Sequence, residues 1–568
     1  MKKLNLFITS FLIIAILTSC SSSAPDILYA ENNAEKKSSD SGQAVDSNAD
    51  IAYKAEGHAN NGDAEEAPPP NVGYSDYDEY VNEVPALEAA PWSNNDYALK
   101  RDPTGSERYL PITENPEIST AQQQTLTFSL KTDTASYRNV ARYIESGNRP
   151  PADAVRIEEM INYFKYEQVL TPRDFEPFAV YTELGRSPFD ADKYLAYIRV
   201  AAREADTLQL PPSNITFLID TSGSMSDYDK LPLLKSAFYL LTQTLSEDDR
   251  ISIVTYAGAS AVVLDGINGS REDMILEAID GLMAAGSTAG ADGINTAYKL
   301  AEKNFIKGGN NRIILATDGD FNVGASNLRE LENLIAEKRA TGIYLSVLGF
   351  GTGNLRDDVM ETLAKNGNGN YSYIDSVSQA KKVLVDEYAS NLYTIADDVK
   401  AQVEFNPALV SSYRLIGYEN RMLAKGDFDD DTKDAGEIGI GTDVVVIFEV
   451  TLGNSAENEN LKYQTEKPQN EWADELFEVR IRYKNSGESE SCLMTHPVKL
   501  TRILEKNTSD FTFASSVACF GHILRGGVFE SGTNLREVEM MASASIGKDR
   551  DGYRVEFIDL VRKAGNAR

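Results

Sequence analysis

Between residues 213 and 390, short runs of consecutive apolar residues alternate with stretches where apolar residues recur every three or four positions. The runs ITFLID, RISIVTYA, AVVLDGI, NRIILATDG, IYLSVLGF and YSYID predict strands. The periodic stretches Leu231 to Leu245, Glu272 to Met283, Asp292 to Phe305, Leu328 to Ala340 and Asp357 to Lys365 predict helices. Apolar strands without in-out alternation are buried on both faces. Strands that alternate with helices in this way predict an α/β, doubly wound, mostly parallel sheet with helices on both sides. Ligands of such sheets sit beyond the carboxyl ends of the strands, where the topology switches direction. Asp220 and Asp318 each end a predicted strand.

The flanks carry other patterns. Leu126, Phe128 and Leu130 alternate as in a strand, a helix begins near Ala135, and Ile157, Met160, Ile161 and Phe164 form one stripe of an amphipathic helix. Strand-like stretches follow at Phe178 to Leu184 and Tyr194 to Val200, giving an α+β segment. After 391, DVVVIFEVTL and ELFEVRIRYK predict strands, and DFTFASSVACFGHIL and GYRVEFIDLVRKA predict helices, which together make a mostly β domain with late helices.

From Ser21 to about Ser119 periodicity disappears. Acidic residues outnumber basic ones roughly three to one, with Pro68-Pro69-Pro70 in the middle, so an extended linker is expected. A flexible chain of about 100 residues spans on the order of 50–60 Å. Before it lie Lys2 and Lys3 and an uncharged apolar run from Leu4 to Leu17, 14 residues that are short for a membrane span. The following Leu17-Thr18-Ser19-Cys20 resembles the lipobox of bacterial lipoproteins. That resemblance implies a diacylglycerol on Cys20 and a body tethered to a membrane of the bacterial cell envelope; an ordinary cleaved signal peptide is the plainer reading. Because Ser21 rather than aspartate follows the cysteine, the outer membrane is favoured in a cell with two.

The formal net charge of −32 repels nucleic-acid phosphates, which argues against nucleic-acid binding. Cys492 and Cys519 leave two possibilities open, a disulfide or two buried thiols.

Chemistry concentrates at the predicted strand ends. In FLIDTSGSMSD, Asp220, Ser222 and Ser224 converge around Gly223. Thr288 in GSTAGADG and Asp318 in ATDGD bring two further oxygens from two other loops. Five oxygen side chains without nitrogen or sulfur suit a hard cation such as Mg²⁺ or Mn²⁺, with coordination positions left over for water or a ligand oxygen.

This Asp-x-Ser-x-Ser, Thr, Asp pattern resembles the metal-ion-dependent adhesion site of von Willebrand factor type A (VWA) domains. The resemblance implies that Ser222 and Ser224 bind the metal directly, that Thr288 does so when ligand is bound, and that Asp220 and Asp318 bind directly or through water. A protein partner would then complete the coordination with an Asp or Glu. The segments DTASYRNVARYIESGNRPPADAVRIEEMINYF and EFNPALVSSYRLIGYENRMLA are similar to parts of a group of bacterial VWA lipoproteins. The chain accordingly divides into a lipoprotein signal peptide (1–19), an acidic disordered linker (20–119), a VWA-associated N-terminal module (120–212), a VWA domain (213–390) and a C-terminal domain (391–568).

Other chemistries fit less well. An aspartyl-phosphate enzyme needs an acid two residues after the nucleophile, where Ser222 stands. A serine nucleophile needs a base, and the three histidines, His58, His496 and His522, all lie outside the VWA-like segment. Asp427, Asp429 and Asp431 have calcium-loop spacing, but Thr432 and Ile438 occupy the positions of the loop glycine and glutamate, so a solvated turn is the simpler reading. Asp227 drops out of the motif as a surface residue. The expectation is a non-enzymatic, metal-dependent protein-binding lipoprotein. A metal-dependent phosphoryl hydrolase and a structural envelope protein with a purely stabilising metal are the alternatives.

Overall fold

The structure, a computed structural model, describes residues 107–173, 175–204, 210–287, 290–319, 324–453, 472–526 and 533–567. Cys20, the signal segment, most of the linker and Thr288 lie outside the described residues.

The apolar runs of the central segment are the strands expected: β5 (Ser213–Asp220), β6 (Arg250–Tyr256), β7 (Ser260–Asn268), β8 (Asn310–Thr317), β9 (Ile343–Phe350) and β10 (Tyr371–Ile374). They form one sheet in the order β10-β9-β8-β5-β6-β7, parallel throughout except for the antiparallel β6–β7 hairpin at one edge. Alternate residues of each strand point to opposite faces. Phe217 and Ile219 therefore join a core with α3 (Leu231–Leu241), α4 (Glu272–Asp280) and α8 (Val377–Lys381). Leu218, Val254 and Leu315 join another with α5 (Gly290–Lys303), α6 (Gly324–Arg339) and α7 (Asp357–Asn366). The chain leaves β5 for β6 on one side and later enters β8 on the other, so Asp220 ends the strand at the switch point.

The flanking segments do not build two separate bodies. One sheet runs β1 (Ile118–Ser119), β12 (Val410–Ile416), β15 (Asp443–Leu452), β4 (Tyr194–Ala202), β3 (Phe178–Arg186). The other runs β13 (Met422–Leu423), β2 (Thr125–Ser129), β11 (Thr394–Phe405), β16 (Glu475–Asn485), β17 (Ser491–Lys499), with β14 (Gly436–Gly439) against β11. Each sheet draws strands from both sides of the VWA segment, and the two close on a shared core that includes Phe128, Ile198, Phe405 and Phe448. On the opposite face of the first sheet, Leu195, Tyr197, Val445 and Ile447 pack against a helical layer. Its members are α1 (Ala135–Glu145), α2 (Ile157–Asn162), α10 (Ser509–Arg525), α11 (Leu535–Ala544) and α12 (Tyr553–Ala564). A short α9 (Tyr388–Leu392) leads from the VWA segment into β11. The division at 391 thus marks where the chain returns to a body begun at 120–212.

Two expectations are corrected. The packed chain begins before residue 120: Ile112 N donates to Asp153 (2.9 Å), Asn115 Nδ2 to the Leu415 and Gly417 carbonyls (3.1 and 2.8 Å), and Ile118–Ser119 is already a strand. The proline-interrupted stretch has no periodicity because scattered bonds to distant parts of the chain, not a repeat of its own, anchor it. Of the two possibilities for the cysteines, the structure has the separate thiols, but only Cys519 is buried, while Cys492 is exposed. The aspartate-rich segment 426–437 folds around basic side chains: Lys400 Nζ donates to the Asp427 carbonyl (3.0 Å), Lys484 Nζ to the Asp431 carbonyl (2.8 Å), and Arg482 pairs with the Asp431 carboxylate (3.0 Å). Among the described residues no helix is long and apolar enough to cross a membrane.

Candidate metal site at the VWA switch point

Asp220 is fully buried at the end of β5, with both carboxylate oxygens engaged. Its Oδ1 accepts from the Ser222 backbone N–H (2.9 Å), which folds the loop back over the strand end. Its Oδ2 accepts from the Tyr256 hydroxyl (3.2 Å) at the end of β6 and from Thr317 Oγ1 (3.2 Å) at the end of β8. Three neighbouring strands therefore fix one carboxylate. Burial pushes this carboxyl up to about 6, against the hydrogen bonds from Ser222, with the Asp318 charge adding to the rise.

Ser222 is buried and Ser224 half-buried, and their hydroxyls lie 3.0 Å apart. The loop is pinned by Gly223 N donating to the Gly286 carbonyl (3.0 Å) and Ala285 N to the Thr221 carbonyl (2.8 Å), so the chain leading to residue 288 runs alongside it. Asp318, fully buried one residue past β8, accepts at Oδ2 from Lys230 Nζ (3.0 Å) and Asn354 Nδ2 (3.2 Å). Gly319 takes a positive φ of 91°, and a Cβ there would stand 2.4 Å from the Arg356 backbone nitrogen. That close approach requires glycine.

Asp220, Ser222, Ser224 and Asp318 thus come from two adjacent strand ends, and Thr288 lies outside the described residues. Asp227 is largely exposed and reaches only to 3.8 Å from Lys230. Four residues of the site were not singled out in the sequence. Tyr256 and Thr317 lie within predicted strands and are the last residues of β6 and β8. Asn354 follows a glycine-rich turn that reads as an ordinary loop. Lys230, in DYDKLPLL, carries no sequence signal at all.

The donor set, two carboxylates and two facing hydroxyls, is all oxygen and fits a small hard divalent cation. Asp220, Ser222, Ser224 and Asp318 would hold it, and when bound it would offer a Lewis-acidic point to an anionic oxygen.

The von Willebrand factor type A domain family matches residues 214–386, a second family described as von Willebrand factor matches 103–197, and the family of the C-terminal part of the uncharacterized protein YfbK matches 390–566. Over 469 residues, 81% of either chain, the sequence is 43% identical to the uncharacterized protein YfbK of Escherichia coli strain K12. The chain belongs to the YfbK family of VWA-domain proteins. It is also similar to inter-alpha-trypsin inhibitor heavy chain H4 of Homo sapiens, 26% identical over 266 residues, 45% of this chain and 27% of that one. A solved von Willebrand factor type A protein from Catenulispora acidiphila superposes with a TM-score of 0.40 at 14% identity, over 68% of this chain and 89% of that one. VWA domains support protein interaction in general, and commonly take a divalent metal at such a site.

Proposed function

We propose that this chain is a non-enzymatic, Mg²⁺-dependent protein-binding module held on a bacterial membrane through a lipid on Cys20. In this reading the ion at Asp220, Ser222, Ser224, Thr288 and Asp318 is completed by an Asp or Glu of a protein partner. The observation that carries it is the pair of facing hydroxyls of Ser222 and Ser224, 3.0 Å apart above a buried carboxylate that three strands orient. The Ser222 hydroxyl faces the Ser224 hydroxyl, and the VWA segment carries no histidine to serve either serine as a base, which disfavours nucleophilic catalysis. Mn²⁺ is the second ion the oxygen set suits. The acidic surface repels acidic partners at long range, so selectivity rests on short-range contacts around the ion. The lipid anchor, and an outer-membrane address in a cell with two membranes, follow from the Leu17 to Ser21 sequence.

The test is calorimetric titration of the chain with Mg²⁺ and Mn²⁺, followed by affinity capture from the native envelope. Asp220→Ala and EDTA should each abolish ion binding and capture while the thermal transition is retained. Capture that survives both would overturn the metal-dependent reading. Cys20→Ser should move the protein from the membrane to the soluble fraction; retention in the membrane would refute the anchor.

A further inference from the structure

We propose that Lys230 is a built-in counter-cation of the Asp220–Ser222–Ser224–Asp318 cluster, one that a divalent ion must share Asp318 with, so that the lysine weakens the site's hold on its metal. This rests on the metal-binding reading of the same residues.

The ammonium is placed, not incidental. Lys230 precedes α3 and is 4% exposed, with Nζ 3.0 Å from Asp318 Oδ2 and 3.4 Å from Asn354 Oδ1. Asn354 donates to the same Asp318 oxygen, so two donors hold one face of that carboxylate. The lysine stem reaches this point only because residue 351 is glycine. A Cβ there would fall 2.2 Å from Lys230 Cε, and the backbone at φ +73° suits glycine anyway. Asp227, 3.8 Å from Nζ, has a side chain 69% exposed, so water screens its charge and Asp318 is the effective partner. A buried ammonium persists where a carboxylate compensates its desolvation.

Two consequences follow. Without metal, the ammonium balances one of the two buried carboxylates, so the loop set holds its shape with no ion present. With metal, a dication and an ammonium compete for one carboxylate in a site where charges are poorly screened, and their repulsion lowers the affinity. Lys230 thereby sets the ion concentration at which the site fills.

The experiment compares the full chain with Lys230→Met and Lys230→Arg, by calorimetric titration with Mn²⁺ and by thermal unfolding in EDTA and in saturating Mn²⁺. Lys230→Met is expected to bind Mn²⁺ at least tenfold more tightly than the parent. It should melt below the parent in EDTA and gain more than the parent from Mn²⁺, whereas Lys230→Arg keeps the parental affinity. A residue needed only for packing would lower the melting temperature equally with and without the ion. Where the Met variant fails to fold, Lys230→Gln supplies the same comparison. Unchanged or weaker Mn²⁺ binding by the neutral variant, with Asp220→Ala still abolishing it, overturns the role of Lys230 and leaves the metal reading standing. Binding by the neutral variant alone, with none by the parent, supports the proposal. No binding by either folded chain overturns both readings.

Discussion

Replacing Arg156 with methionine should remove one buried electrostatic fastening between the VWA domain and the flanking body. The guanidinium is 2% exposed; it donates from Nε to Glu159 Oε1 (2.6 Å) and from Nη1 to Asp357 Oδ2 (2.6 Å), with longer bonds from Nη2 to both carboxylates (3.3 and 3.2 Å). Asp357 opens α7 of the VWA domain, while Arg156 and Glu159 belong to the segment of α2. Methionine fills similar volume but leaves two buried carboxylates without their counter-ion, a loss of about 3–5 kcal/mol. Neutralising all three, with Asp357→Asn and Glu159→Gln added, should cost clearly less, since the penalty lies in the unpaired charge. The loss should also depend on pH. Burial pushes the Glu159 carboxyl up to about 8, against the pull of Arg156. A carboxyl raised in the folded state binds more protons there than in the unfolded chain, so stability falls as pH rises from about 4.5 towards 8. That fall approaches about 1.4 kcal/mol per pH unit, and without Arg156 it continues to higher pH, so the loss is larger at pH 8 than at pH 6. Urea unfolding at pH 6 and pH 8, with calorimetry to show whether the single transition splits, measures this. A loss below about 1 kcal/mol at both pH values, or a larger loss at pH 6, would refute the reasoning.

Two further outcomes are expected. His522, buried edge-on to the Phe189 ring at 5.1 Å, has its protonation pushed down by burial, so below about pH 6.5 the unfolded chain takes the proton first and stability falls. His522→Phe should flatten the acid limb by up to about 1.4 kcal/mol per pH unit in urea titrations, and an unchanged limb would count against it. In a Cys20→Ser background, one thiol should react with Ellman's reagent in the folded chain, Cys492, and a second only in denaturant, because burial shields Cys519 and pushes its thiol up. Two thiols reacting at once would show that α10 opens readily.

The VWA sheet and its strand ends were readable because their signals are local. Asp220, Ser222 and Ser224 fall within five residues, and runs such as ITFLID announce buried strands without reference to anything else. The flanking body was not readable, because its pairings are remote: Leu126 registers with Val403, and Ile198 with Val446. No periodicity in either partner names the other, and an α+β segment followed by a mostly β one looks like two domains. Residues 107–119 read as linker for a related reason. Their order comes from Asn115 and Ile112 bonding to distant chain, not from any repeat of their own. Within the site, the part that escaped the sequence is Lys230. A lysine between an acidic turn and an apolar helix looks like a solvated residue, and only the missing side chain at Gly351, more than a hundred positions later, lets it turn inward.

The first described residues also bear on how force would reach the site. Glu107 is buried, accepting from the Arg142 guanidinium (2.5 Å) and the Tyr143 and Tyr109 hydroxyls (2.6 and 2.7 Å), and its other oxygen accepts from Gly353 N (2.8 Å). Arg108 N then donates to the Leu355 carbonyl (3.0 Å). Asn354, whose amide holds Asp318, lies between those two anchor points. Tension applied to the chain ahead of Glu107 would therefore be delivered first to the loop that steadies Asp318, and would be felt at the strand ends before it strained either β-sheet of the body.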